Sequence, residues 1–93
     1  MDAQPPYLVH LGNNSWLNAN RILTVFSPRT ANAKRMLKRA ADAGTLLDFT
    51  FALATKGVIL CDNGVLIRIP IRPMDVERNL RNLNDQKGVD KNA

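Results

Sequence analysis

The stretch that decides the fold is Val58-Ile59-Leu60-Cys61-Asp62-Asn63-Gly64-Val65-Leu66-Ile67-Arg68-Ile69. Two apolar runs flank Asp62-Asn63-Gly64, and each run has the length of a short strand. Asn-Gly tolerates the positive φ of a type I′ turn, so the pattern predicts a β-hairpin with that turn at its tip. Pro70 ends the second strand.

The residues before the hairpin predict another strand. Leu47-Asp48-Phe49-Thr50-Phe51-Ala52-Leu53 alternates strictly, which places its large apolar side chains on one strand face. Thr55-Lys56-Gly57 then turns the chain into the hairpin.

Further upstream, an amphipathic helix is predicted from Thr30 or Ala31 to Ala43. Its apolar residues recur at i, i+3, i+4 and i+7 and share one face: Ala33, Met36, Leu37 and Ala40. Thr30 and Ser27 are both candidate N-caps, and Gly44 is a candidate for the residue just past the C-terminus.

Three short strands are predicted before this helix. They cover Tyr7–Leu11, Trp16-Leu17 and Ile22–Phe26. Gly12-Asn13-Asn14 is a tight turn between the first two strands, and Asn18-Ala19-Asn20-Arg21 joins the second to the third.

A second helix is predicted to begin at Pro73, after the hairpin. Its apolar residues at i, i+4 and i+7 are Val76, Leu80 and Leu83. Residues 1–6 are expected to be a flexible arm, 7–83 a single domain and 84–93 a disordered tail. The order β-β-β-α-β-β-β-α describes a small α+β domain with a mostly antiparallel sheet and two helices.

Composition favours a soluble, cytoplasmic protein. The 93 residues suffice for one domain, and 45% hydrophobic content is typical of a globular fold. The single cysteine, Cys61, has no partner for an internal disulfide, which fits a reducing compartment. The first residues lack the features of a signal peptide, and no apolar run approaches the roughly 18–20 residues that span a bilayer.

Positive charge is concentrated in one part of the chain. Between Arg21 and Lys56 there are seven basic and two acidic residues, a surplus equal to the whole formal net charge of +5. Such a local surplus favours a phosphate-bearing partner, either nucleic acid or an anionic membrane surface. The seven basic residues are Arg21, Arg29, Lys34, Arg35, Lys38, Arg39 and Lys56.

Four of these residues lie on the predicted first helix: Lys34, Arg35, Lys38 and Arg39. At ~100° per residue they cover an arc of about 140° opposite the apolar face. Two like-charge pairs at i, i+4 each cost roughly 0.2–0.5 kcal/mol in an isolated helix. One interpretation is that this face binds an anion, which would offset that cost. The alternative is that it is an ordinary helix face exposed to water.

The pattern favours contact with phosphates over the reading of bases. The basic cluster contains no aromatic residue, and burial in the core is the favoured role of Trp16. A helix-turn-helix is excluded, because about thirty strand-like residues separate the two helices.

The sequence contains few candidate catalytic residues. His10 is the only histidine and has no cysteine or carboxylate at ligand spacing, so a core or strand-edge role is favoured. Cys61 lies in an apolar run and is predicted to be buried and inert. Asp48 either points outward or pairs with an arginine. We expect no enzymatic activity, no cofactor, no metal and no small-molecule substrate.

Taken together, several motifs resemble the RemA family of small bacterial regulators of extracellular-matrix genes. They are Gly12-Asn13, Asn18-Ala19-Asn20-Arg21, Ser27-Pro28, Ala33-Lys34-Arg35-Met36, Ala40, Ala43-Gly44-Thr45-Leu46-Leu47-Asp48 and Thr50. The resemblance runs from about Tyr7 to Leu83. It implies a DNA-binding transcriptional regulator without catalytic activity, whose subunits assemble into closed rings with a basic rim that contacts double-stranded DNA.

One segment departs from the family pattern. The family has a glycine and then an arginine-rich segment before the hairpin, where this chain has Ala52-Leu53-Ala54-Thr55-Lys56. Leu53 and Ala54 replace two arginines that the resemblance implies touch DNA. The loss of two phosphate contacts would make the slope of log K against log salt concentration shallower by about 1.8. The residues expected to contact DNA phosphates are Arg21, Lys34, Arg35, Lys38, Arg39 and Lys56.

Two other hypotheses stay open from the sequence. Leu53 and Ala54 also fit a ring-forming protein-interaction scaffold that has lost DNA binding. Binding to anionic lipid is less favoured, because the apolar face of the first helix is mostly alanine.

Overall fold

Six strands and two α-helices follow the predicted order in the computed structural model, and the α+β class is confirmed. The structure describes residues 7–92, with side chains as far as residue 83. A turn of 3₁₀ helix, Ala19–Arg21, lies between the second and third strands. The elements are β1 (Leu8–Gly12), β2 (Ser15–Asn18), β3 (Ile22–Phe26), α1 (Ala31–Ala43), β4 (Leu46–Asp48), β5 (Gly57–Cys61), β6 (Leu66–Ile69) and α2 (Pro73–Asn92).

Two of the predictions concern the ends of the chain. The expected flexible arm, residues 1–6, lies outside the described residues and stays a prediction. A disordered tail was expected over residues 84–93, but α2 continues through this segment as far as Asn92.

A four-stranded sheet in the order β3-β5-β6-β4 forms the centre of the fold. β5 pairs antiparallel with both β3 and β6, whereas β4 pairs parallel with β6. β1 and β2 form a separate antiparallel pair. The sheet is therefore mostly antiparallel, as predicted. Since α1 carries the chain across one face from β3 to β4, these two edge strands run in the same direction.

The sheet is buried on both faces, because β5 and β6 send alternate side chains to opposite sides. On one face, Val58 and Leu66 pack against Ala40 of α1. The other face packs against β1 and α2, and its cluster comprises Val9, Leu11, Ile59, Cys61, Ile67, Ile69 and Val76. Burial on both faces explains why these two strands appear in the sequence as continuous apolar runs.

Both predicted ends of α1 are confirmed. The Thr30 hydroxyl oxygen accepts a hydrogen bond from the Ala33 N–H at 3.0 Å, which makes Thr30 the N-cap. Gly44 ends the helix in the left-handed conformation, with φ of 77°. Ser27, the other candidate, instead accepts from the Arg29 N–H in the preceding turn.

The β5–β6 hairpin forms where it was predicted, but the type I′ turn at its tip is wrong. Gly64 has a φ of 88°, while Asn63 is not among the residues with positive φ. The Gly64 N–H donates to the Cys61 carbonyl at 3.0 Å, and the Asn63 side chain accepts from the Val65 N–H at 3.1 Å. The tip is thus longer than the expected two residues, and glycine takes its left-handed position.

Paired positive φ values occur instead in the β1–β2 turn. Asn13 and Asn14 have φ of 54° and 61°, a conformation that asparagine tolerates better than most residues. Gly12 precedes them with φ of 89°, and a Cβ there would lie 2.9 Å from Cγ2 of Ile71. Glycine therefore lets this turn pack closely against the connection from β6 to α2.

The strand predicted over residues 47–53 is wrong beyond Asp48, where β4 ends. The Asp48 carboxylate accepts hydrogen bonds from both the N–H and the hydroxyl of Thr50. This local arrangement competes with strand pairing. Phe51 and Ala52 follow with φ of 49° and 77°, so the chain turns and the alternating pattern does not lie on one strand face.

The left-handed Ala52 leads to a stability prediction. Ala52 has a φ of 77°, and a Cβ in this left-handed conformation costs about 1–2 kcal/mol. We expect Ala52→Gly to raise the free energy of unfolding by about 0.5–1 kcal/mol, because relief of strain outweighs the greater freedom of glycine in the unfolded chain. Urea denaturation measures the change.

Ala54→Gly is the matched control, because Ala54 has no positive φ and is equally exposed to solvent. This substitution should leave stability unchanged or lower it. Equal effects of the two substitutions would contradict the assignment of strain to Ala52.

Candidate nucleic-acid interface

Four exposed cations form the basic face of α1, as the helical spacing predicted: Lys34, Arg35, Lys38 and Arg39. Ala33 and Ala40, on the opposite side of the helix, are buried. The two caps and the packing against the sheet hold the helix in place. Its cations are therefore displayed to solvent from a rigid support.

No carboxylate neutralises the basic face of α1 among the side chains that the structure describes. The ion pairs between those side chains involve other elements. Arg35 donates to the side-chain oxygen of Asn32, which is a neutral partner. Asp42 is exposed and forms no ion pair with any of the side chains that the structure describes. The positive potential of this face is accordingly not cancelled locally.

Arg21 lies at the end of the sheet next to the hairpin tip. It closes the 3₁₀ turn that Asn18 caps, and its carbonyl accepts from the Asp62 N–H at 2.8 Å. Its guanidinium reaches both carboxylate oxygens of Asp62 at 3.4 Å. Arg21 is thus well positioned, but a carboxylate offsets part of its charge.

Lys56 lies at the opposite end of the sheet, since β5 begins there and runs antiparallel to β3. Its N–H donates to the Ile69 carbonyl at 2.9 Å. The next residue, Gly57, has no side chain, and a Cβ there would lie 2.6 Å from the Ile71 carbonyl oxygen. The start of β5 is therefore held directly against the connection from β6 to α2.

Lys56 shares an open groove of about 900 Å³ with two other cations, Arg29 and Arg72. Sequence reasoning counted Arg29 in the basic stretch without choosing it as a contact, and did not consider Arg72. Arg72 lies outside that stretch and three residues before Asp75, so the sequence carries no signal that would place it with Lys56. Only the meeting of the β6–α2 connection with the start of β5 brings it there.

The six residues expected to contact DNA thus form three groups. Four lie on the outer face of α1, while Arg21 and Lys56 lie at opposite ends of the sheet. Register pairs Ile22 with Cys61 and Phe26 with Val58, so β3 spans the distance between the two ends. Four strand steps correspond to roughly 13 Å.

Trp16 and Cys61 were both predicted to be buried, but only Cys61 is. Trp16 was expected in the core, but it is 53% exposed and contacts His10, with ring centroids 5.0 Å apart and the ring planes tilted by 49°. Because β2 is a peripheral strand, the sheet core does not cover its indole. Cys61 is buried as predicted, and burial, helped by the neighbouring Asp62, raises the pKa of its thiol.

Asp48 pairs with an arginine, which was one of its two predicted roles. Arg68 lies opposite it in the β4–β6 register, and the side chains approach to 3.5 Å. Hydrogen bonds from Thr50, reinforced by Arg68, lower the pKa of the Asp48 carboxyl. This carboxylate therefore organises the turn after β4 and takes no part in the basic surface.

The segment where the family has arginines presents apolar side chains to solvent. Phe51 is 62% exposed and Leu53 is 56% exposed. Phe49 and Phe51 stack with ring centroids 6.2 Å apart. An apolar surface thus lies between β4 and Lys56, in the segment that departs from the family pattern.

Two kinds of site are missing from the described part of the chain. No cluster of three or more His, Cys, Asp or Glu side chains with the geometry to hold a metal ion occurs within it. Neither of the helices described here combines the length and apolar character needed to cross a membrane.

Comparison with known proteins agrees with the motifs noted above. The model of a family described as RemA-like, "Extracellular matrix regulatory protein A-like", matches residues 8–80. The chain belongs to the RemA-like family. This span contains every strand and the first turns of α2, so the family match covers the whole folded core.

Several relatives of this RemA-like chain carry the name "Putative regulatory protein". One from Desulfitobacterium hafniense is 37% identical over 73 residues, which cover 78% of this chain and 80% of the relative. Another, from Halalkalibacterium halodurans, is 32% identical over 87% of this chain and 93% of the relative. A third, from Acaryochloris marina, is 31% identical and covers 90% and 96% of the two chains.

Proposed function

We propose that this RemA-like protein is a transcriptional regulator that binds double-stranded DNA through its phosphate backbone. The basic face of α1 carries the proposal, because four exposed cations lie there without a carboxylate partner among the described side chains. The names of the family and of the relatives point to a regulatory protein and not to an enzyme.

Binding of this kind depends on charge and DNA shape. Lysine and arginine displace counterions from the duplex, which gives affinity that falls steeply with salt. The basic face of α1 contains no aromatic side chain that would stack on a base, and the two helices do not form a helix-turn-helix. Sequence preference would therefore come from how easily a DNA segment bends.

Self-assembly into a ring is the second part of the proposal. The outer edges of β3 and β4 are unpaired in the four-stranded sheet. Leu23 and Met74, beside the β3 edge, are 65% and 55% exposed, and the apolar loop with Phe51 and Leu53 follows β4. Because these surfaces lie at opposite edges of the sheet, contact between them is head-to-tail and closes a ring when the rotation allows it.

A protein-interaction scaffold without DNA binding is the second candidate function. The observation that favours it is the exposure of Leu53 where the family pattern has an arginine. Under this hypothesis the ring persists, an acidic protein partner binds the basic face of α1, and DNA does not compete with that partner.

Affinity for a generic duplex at two salt concentrations tests the proposed function. Fluorescence anisotropy should show binding at about 50 mM salt, and about a 10³-fold loss by about 200 mM if six phosphates are contacted. Arg81→Ala is the control, because this cation is paired with Glu77 on α2 away from the basic face. The absence of binding even at the lower salt concentration would refute DNA binding.

Arg21→Ala should weaken DNA binding more than Lys38→Ala. The 3₁₀ turn positions Arg21, and a guanidinium grips phosphate in two places, so we expect a loss of about 1–3 kcal/mol. Lys38 has a flexible stem and should contribute under about 1 kcal/mol. Competition binding with a labelled duplex gives both values.

Asp62→Asn provides the matched comparison, because it removes the charge that offsets Arg21 and retains a residue suited to the turn. It should strengthen binding. A sizing column must first show that each variant assembles as the wild type does. An intact Arg21→Ala oligomer with unchanged affinity would rule out Arg21 as a DNA contact.

We expect a homo-oligomer larger than a dimer in solution. Sedimentation at micromolar concentration should give a mass several times the 10.3 kDa of the chain. Leu23→Glu should dissociate it, since a charge would enter the proposed interface, whereas Leu8→Glu, at an exposed position on β1, should not. A wild-type protein that sediments as a monomer would exclude the ring.

A further inference from the structure

The groove that contains Lys56 is formed by three separate segments of the chain. The β3–α1 connection, the start of β5 and the β6–α2 connection meet there, because β3 and β6 both end where β5 begins. Pro28, Pro70 and Pro73 are part of its walls. Proline fixes its own φ, so these walls keep their shape without being rebuilt when a ligand binds.

Three cations and one carboxylate line this groove. Arg29, Lys56 and Arg72 are the cations, and Asp75 is the carboxylate. Asp75 is already engaged, because one of its oxygens accepts from the N–H and Nε of Arg72 and the other from Nη2. Arg78 lies 3.6 Å from the same carboxylate. Asp75 therefore has little capacity left to neutralise the other two cations.

Arg29 and Lys56 have no carboxylate partner among the described side chains. Both lie in connections between elements, line the same open groove and are exposed to solvent. The N-terminus of α2, which begins at Pro73, adds the positive end of its dipole to the same space. These features together favour an anion in the groove.

We propose that this groove binds a phosphate of the DNA backbone, held by Arg29 and Lys56. The inference rests on the proposed function and extends it to a site that the basic face of α1 does not include. The groove is much larger than one phosphate group, so it has room for the adjoining sugars of a continuous strand. Arg72 serves as a positioning residue, because its contacts with Asp75 fix the first turn of α2.

The position of the groove makes it a phosphate contact separate from that of Arg21. It lies at the opposite end of the sheet from Arg21, so the two mark separate phosphate contacts on one subunit. Arg29 and Lys56 thus supply this second contact from two separate connections of the chain.

The test replaces both cations with neutral residues of similar shape. Arg29→Gln combined with Lys56→Gln should lower the affinity for a generic duplex at least about 10-fold. It should also make the slope of log K against log salt concentration shallower by about 1.8, because each phosphate contact contributes about 0.9. The control is Arg81→Gln combined with Lys87→Gln, which removes the same charge from α2 and leaves the ion pairs of Asp75 intact. The control should change affinity less than about 2-fold. Thermal melting by circular dichroism checks that both variants are folded.

The outcomes separate this inference from the proposed function. If the wild type binds duplex and the groove variant behaves like the control, the groove is not a contact, although DNA binding stands. If the wild type does not bind duplex, both are overturned.

Titration of the ¹⁵N-labelled protein with inorganic phosphate provides a second readout. The Ile71 and Met74 amide signals, from two unsubstituted residues that line the groove, should shift in the wild type and not in the groove variant. If they shift while the duplex is bound equally by both proteins, the groove takes free phosphate and its assignment to DNA is overturned.

Discussion

The whole fold depends on burial of the β5–β6 hairpin on both faces. Its alternate side chains form the centre of two separate apolar clusters, one under α1 and one under β1 and α2. The edge strands β3 and β4 pair only with these two strands within the sheet. Every functional side chain described above is therefore positioned, directly or through one neighbour, by the hairpin.

Local chemistry explains which parts of this fold the sequence predicts. Thr30 and Gly44 bound α1 because capping needs only nearby atoms, and the β5–β6 hairpin is recognisable because few other structures fit a double apolar run around Asn-Gly. The strand expected over residues 47–53 failed for a local reason as well. Hydrogen bonds from Thr50 to Asp48 outweigh the alternating pattern, and that pattern carries no sign of the left-handed Phe51 and Ala52.

The sequence predicts only part of the basic surface. Helical spacing is enough to place four cations on one face of α1, because all of them belong to a single element. The grouping of Lys56 with Arg29 and Arg72 depends on how three connections meet in space. The pairing of Arg21 with Asp62 likewise joins residues far apart in sequence. Neither of these two arrangements produces a periodic pattern in the sequence.

The pairing of β3 with β5 also has a consequence for synthesis of the chain. Ile22 pairs with Cys61 and Phe26 with Val58, so β3 has no partner in the sheet until the hairpin has been made. At roughly 5–20 residues per second, β3 and the apolar side of α1 stay uncovered for several seconds on the ribosome. A nascent chain of this protein is therefore a candidate client of ribosome-associated chaperones, although the finished domain is small.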